Sequence, residues 1–187
     1  MMKKHLRCLF VFMGCFTLAY AQNNGRGLYM SAADFLAGKL THASKHTHIK
    51  PHDLFKTGTI EVTSNDSTFA YSKARVYGYA DKDGIYRFVN DKAYPIINVG
   101  ETILIYQINS GTGMKNSPIV EHYYFSRDAA APVQLLTLRN MLAAFSDNTA
   151  FTKMLETHFS RDEDLVQYDH IHHQYMINRL LDLSQNQ

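Results

Sequence analysis

Histidine is the residue type with the most conspicuous spacing in this chain. His42, His46, His48 and His52 fall within eleven residues, and His170, His172 and His173 within four. Neutral imidazole is a common metal ligand, so such clusters set up a metal site as one reading. On a strand His46 and His48 share a face, and on a helix His42 and His46 do. Asp169 stands three or four residues before His172 and His173, a helical spacing that aims two ligands at one ion. The candidate metal set is therefore His42, His46, His48, His52, Asp169, His172 and His173. Against it, the first cluster lies in a polar stretch with Lys45, Thr47 and Lys50, which fits a solvated loop. His172 falls on an apolar stripe, which fits a hydrogen-bonded, half-buried side chain.

Tyrosine is the second candidate. Tyr71, Tyr77, Tyr79, Tyr86, Tyr94, Tyr106, Tyr123 and Tyr124 all lie in segments with strand patterning. A row of such rings on an open sheet face can stack on a ligand or anchor a partner protein. Tyr77, Tyr79, Tyr86, Tyr106 and Tyr123 are the candidate ligand-binding residues. Tyrosine also suits pleated, half-buried surfaces with no ligand at all, and the absence of tryptophan weakens sugar stacking.

No further catalytic pattern appears. There is no Gly-x-Ser-x-Gly elbow and no His-Glu-x-x-His pair. Glu121 and His122 are adjacent and face opposite sides of a strand. Asp81–Gly84 matches only the start of a calcium loop, because position twelve is Lys92 where a closing glutamate is needed. Gly111–Gly113 lacks the lysine and following helix of a phosphate loop. No catalytic residue is assigned, and the chain is not expected to be an enzyme.

The elements that position these residues follow from periodicity. Ser31 and Asp34 open a short helix carrying Phe35 and Leu36, which Gly38 ends. From about Thr57 to Arg127 apolar residues alternate with polar ones between turn signals at Ser64–Ser67, Asp81–Gly84 and Asn90–Lys92. Short connections favour antiparallel pairing. Thr102–Ile108 is apolar on both faces, so it must be covered on both sides. After Pro132 the period becomes helical: Leu135–Phe145, then a helix capped by Asn148, then one opened by Ser160–Glu163 and running to about Leu183. The fold class is α+β: an antiparallel meander of about seven strands, or a curled half-barrel, with about three C-terminal helices packed on it.

The start of the chain carries export chemistry. Lys3, Lys4 and Arg7 precede an apolar run from Cys8 to Leu18, and Ala19-Tyr20-Ala21 forms a small-x-small cleavage pattern. The run is too short to be a permanent membrane span. Residues 1–21 are expected to be a signal peptide and 22–187 a single domain with a flexible leader at 22–28. Cleavage leaves 166 of the 187 residues, removes both cysteines and turns 19 basic against 17 acidic residues into 16 against 17. A thiol-free domain of near-neutral charge must rely on its own core and gives no argument for nucleic acid. Acylation at Cys15, which would make a lipoprotein, is the minor alternative.

Gly27–Phe35 with Gly38-Lys39-Leu40, Val76–Tyr79, Gly84–Phe88 and the tail residues Tyr168, Asp169, Tyr175 and Asn178 together resemble small exported proteins of Bacteroidota. The resemblance implies a periplasmic or secreted location in the cell envelope and supplies no catalytic residue. Asp66-Ser67-Thr68 similarly resembles the short acceptor pattern for O-glycosylation of exported proteins in that group, which implies Ser67 as the sugar carrier.

The functional expectation is an exported, non-enzymatic module that binds a small ligand or an envelope protein, with no membrane span after cleavage and no cofactor. A His-dependent metal-binding protein is the alternative, and an envelope-directed hydrolase the third.

Overall fold

The computed structural model describes residues 25–51, 58–110 and 120–186. The leader at 1–21 with Cys15, His52 and the Gly111–Gly113 loop lie outside the described residues. The elements run in the order β1 (Arg26–Tyr29), α1 (Ala32–Leu36), β2 (Thr41–Ser44), β3 (His48–Lys50), β4 (Thr59–Ser64), β5 (Ser67–Ser72), β6 (Gly78–Ala80), β7 (Ile85–Val89) and β8 (Lys92–Pro95). They continue with β9 (Leu104–Ser110), β10 (Val120–Ser126), β11 (Gln134–Leu135), α2 (Leu138–Ala144), α3 (Thr149–His158), β12 (Tyr168–Asp169), β13 (Gln174–Tyr175) and α4 (Met176–Gln185). This is an α+β protein in which every described strand pair is antiparallel.

Local chemistry sets most boundaries. Ser31 Oγ accepts from the Asp34 amide at 3.0 Å and so caps α1, and Gly38 closes the helix at φ +63°. Asn65 and Asp66, at φ +49° and +61°, turn β4 into β5. Asn90 and Asp91, at +48° and +64°, turn β7 into β8. Both are two-residue turns with left-handed backbone at each position, the geometry whose twist matches the flanking strands. Between β6 and β7, Asp81 Oδ1 takes the amides of Asp83 and Gly84 at 2.8 and 3.1 Å. Asn148 Oδ1 takes the Phe151 amide at 3.0 Å and opens α3.

The strands do not form one meander. They divide into sheets ordered β2-β1-β6-β7-β8, β11-β10-β9, β3-β4-β5 and β12-β13, and no closed barrel is formed by the described strands. One bridge, Ile96 to Tyr106, joins the five-stranded sheet to β9. The resulting layers enclose three cores. Leu28, Ile60, Val62, Val76 and Tyr79 fill the space between the β3–β5 sheet and the five-stranded sheet. Tyr29, Phe35, Ile96, Leu104 and Tyr106 fill the next. Ile103, Ile105 and Phe125 pack against Met141, Phe151, Leu155, Ile177 and Leu181 of the helices. β9 is thus covered on both faces, helices on one and sheet on the other, as its two-sided apolar pattern requires.

Three expectations need correction. Residues 26–28 are not a flexible leader: they belong to β1, between β2 and β6, with Leu28 fully buried. Gly27 and Gly78 allow this, since a Cβ on Gly27 would sit 2.7 Å from the Thr41 carbonyl oxygen and one on Gly78 would run into the Tyr86 carbonyl. The polar stretch that holds His42, His46 and His48 is not simply a solvated loop, because β2 and β3 lie within it. The third C-terminal helix is not continuous. A 3-10 turn at Asp162–Val166 is followed by the β12–β13 hairpin, and only then by α4. The cause is Asp169, whose Oδ1 accepts the amides of Ile171 and His172 at 2.9 and 3.2 Å and so diverts the backbone from a helix.

Candidate functional site

The turn between β8 and β9 is built by two buried asparagines acting as substitutes for backbone. Asn98 donates to the Ile103 carbonyl and accepts from the Ile105 amide, both at 2.7 Å. Asn178, from α4, accepts from the Ile103 amide at 2.8 Å and donates to its carbonyl at 2.9 Å. The two side chains therefore supply the ladder that a missing strand would have supplied to the start of β9. Glu101 completes the turn. Its carboxylate accepts from Asn98 Nδ2 at 3.2 Å and from the Tyr175 amide at 3.3 Å. Burial is the largest influence on this carboxyl and pushes its pKa above the usual range, outweighing the hydrogen bonds from Asn98, Tyr175 and Asn178 that favour the charge.

Glu101 stands at the edge of a cleft of about 370 Å³, walled by Leu36, Thr102, Leu104 and Ala129, with Asp128 on the other side. α1 makes one wall: its cap turns Phe35 inward and leaves Leu36 54% exposed. Asp128 is fixed by the Ala130 and Ala131 amides, both at 2.7 Å from Oδ1. A pocket of this size, mostly apolar with two carboxylates at its margin, suits a small ligand carrying an apolar body and a hydrogen-bond donor or positive group. A second groove, of about 420 Å³, lies between α3 and α4 with Lys153, Met154, His158 and Leu180 along it.

The tyrosines predicted to share an open face are divided among the cores. Tyr79 is buried and stacks on Tyr86 at 4.7 Å between the ring centroids. Tyr106 is fully buried, and Tyr123 donates to Glu121 at 2.6 Å, which pushes its pKa up to about 12. Tyr77 stacks on Phe35 at 5.3 Å, and its buried hydroxyl makes no hydrogen bond. The face is absent for a simple reason: each of the two large sheets is packed on both sides, so alternation no longer separates inside from outside.

Arg87 was not singled out by its sequence context, yet it ties the two large sheets together. Its guanidinium donates to the Tyr106 hydroxyl at 3.1 Å, to Ser126 Oγ at 3.4 Å and to the Ala131 carbonyl at 2.9 Å. It also lies 5.1 Å from the centre of the Tyr77 ring. The only signal available was a lone arginine in an otherwise apolar strand.

The histidines are not brought together either. His42 Nε2 is 2.6 Å from the Tyr71 hydroxyl, and its ring stacks on Phe69 at 4.1 Å. His46 and His48 are exposed, the latter in β3. His172 Nδ1 lies 2.6 Å from Asp169 Oδ2, within one hairpin turn, and His173 adopts φ +54° beside it. Among the described residues no group of three histidine, cysteine, aspartate or glutamate side chains converges on a point. Ser110 Oγ and His122 Nε2 are 2.8 Å apart and exposed, on the facing strands β9 and β10. Ser67 is exposed at the start of β5. No helix of the described residues is long and apolar enough to cross a membrane.

Compared with protein-family models, with curated proteins and with solved structures, the chain matches none.

Proposed function

We propose that this is an exported binding module of the cell envelope, periplasmic or secreted, that takes a small ligand in the cleft beside Glu101. The observation that carries the reading is that cleft: about 370 Å³, apolar walls from Leu36, Leu104 and Ala129, and a half-buried carboxylate already anchored by two donors, Asn98 Nδ2 and the Tyr175 amide shared between its oxygens. An anchored carboxylate loses little freedom on binding and is ready to receive a donor. Both carboxylates at the cleft are held by backbone amides, which fits ligand orientation better than proton transfer. The same reading takes β6 to β11 alone as an open, curled run of strands, with the Ile96–Tyr106 bridge as the point where it bends. Export rests on the leader chemistry at residues 1–21.

Recovery of the protein from its own envelope fraction tests this. A co-purifying small molecule is expected, released by Thr102→Trp, which fills the cleft. Metal measured on the same sample in stoichiometric amount, with no organic ligand, would favour the histidine reading instead.

A further inference from the structure

Among the described residues, β5 is a sheet edge without the protection that a strand's own residues usually give. Natural edge strands are blunted by charge, proline, bulges or brevity. β8 carries Lys92 and Pro95, β2 is kinked at His42 (φ +58°), β3 has three residues, and β11, β12 and β13 have two each. β5 has six residues, Ser-Thr-Phe-Ala-Tyr-Ser, with no charge and no proline, in unbroken register with β4. Among the described residues no strand pairs with its outer side.

Register settles which groups that edge presents. The Lys73 amide donates to the Gly58 carbonyl at 2.9 Å. Hydrogen-bonded and non-bonded pairs alternate along an antiparallel ladder, so the pairs Tyr71–Ile60, Phe69–Val62 and Ser67–Ser64 are the bonded ones. The N–H and C=O groups of Thr68, Ala70 and Ser72 therefore point away from β4.

We infer that this edge pairs with β5 of a second copy of the chain, antiparallel, about a two-fold axis at Ala70. That register is the one that uses all three outward residues: Thr68 opposite Ser72, Ala70 opposite Ala70, Ser72 opposite Thr68. It also brings one side-chain complementarity. Phe69, 38% exposed, falls opposite the second copy's Tyr71 at a non-bonded site, where cross-strand side chains approach closest, and the converse pair forms too. No like charges face each other along the strand. The result is a continuous six-stranded sheet, β3-β4-β5 and its symmetry mate, closed by an isologous contact. This inference is independent of the ligand cleft, which lies on other elements.

Analytical ultracentrifugation across a concentration series, with two variants, tests it. The chain is expected to show a reversible monomer–dimer equilibrium. Ala70→Pro removes an outward amide without touching the β4 ladder, and is expected to weaken the dimer at least about tenfold while circular dichroism stays unchanged. Ala70→Cys, in a background with Cys8→Ser and Cys15→Ser, places two thiols opposite each other at about 5.5 Å between Cα atoms and is expected to give a covalent dimer on oxidation. Ser72→Cys in the same background is not. A chain that stays monomeric at every concentration overturns the inference. So does a dimer that Ala70→Cys fails to cross-link, whatever Ala70→Pro does to folding.

Discussion

A buried hydroxyl without a partner costs the fold its lost hydration, and Tyr77 holds the one such side-chain atom among the described residues. Burial and the neighbouring Tyr106 push its pKa above the ordinary phenol value despite the Arg87 guanidinium nearby, so the group stays neutral. Tyr77→Phe keeps the stack on Phe35 and deletes only the unbonded oxygen. Urea denaturation is expected to show unchanged or higher stability, by up to about 1 kcal/mol. A loss greater than that would mean the hydroxyl has a role that the packing does not reveal. Glu101 gives a second test at this scale. A carboxyl whose pKa is raised in the folded state holds its proton more tightly there than when unfolded, so its contribution is present at low pH and is lost as pH rises through the folded value. Asp147 and Asp169 have the opposite sign: Arg127 and His172, respectively, hold them below the ordinary value, and their contributions fade as pH falls. Glu101→Gln is therefore expected to flatten the decline in stability from mildly acidic to neutral pH and to leave the acid limb in place. An unchanged profile above the ordinary carboxylate range would remove Glu101 from the account.

At the scale of elements, the helical layer is fastened to the sheet by Asn178. Its amide makes two hydrogen bonds to the Ile103 backbone from within α4. Asn178→Ala leaves the buried Ile103 amide without a partner and is expected to cost about 2–3 kcal/mol. Asn178→Asp retains only the acceptor and also buries a charge, so it is expected to cost no less. Equilibrium unfolding of both variants checks this. The residues involved also show where sequence reading succeeds. Turn chemistry at Asn65-Asp66, Asp81–Gly84 and Asn90-Asp91, the caps at Ser31 and Asn148, and the two-sided pattern of β9 are local, and each is found where its residues predict. What stayed hidden depends on distant partners. β1 looked like a polar leader because its pairing residues, in β2 and β6, lie up to about fifty positions away. The break before α4 hangs on one carboxylate competing with an apolar stripe that reads as helix. Glu101 and Arg87 gain their roles only when the turn before β9 and the loop after β10 close on them.

For the whole molecule, four layers around three cores explain why the described residues show no open row of tyrosines: most of the rings fill space between the layers. The concave surfaces among the described residues are the cleft at the junction of α1, the β8–β9 turn and the loop after β10, which is the proposed ligand site, and the groove between α3 and α4, with the β5 edge as a separate surface. The residues that make the cleft come from three separate parts of the sequence, so no motif could have announced it. Non-denaturing intact mass spectrometry of the protein recovered from the envelope of its native host tests this account most directly. The predicted result is a chain beginning at Gln22 that carries a small organic molecule, with the bound mass missing from Thr102→Trp. A chain still beginning at Met1 in the cytosol, or a bound mass that Thr102→Trp retains, would contradict it.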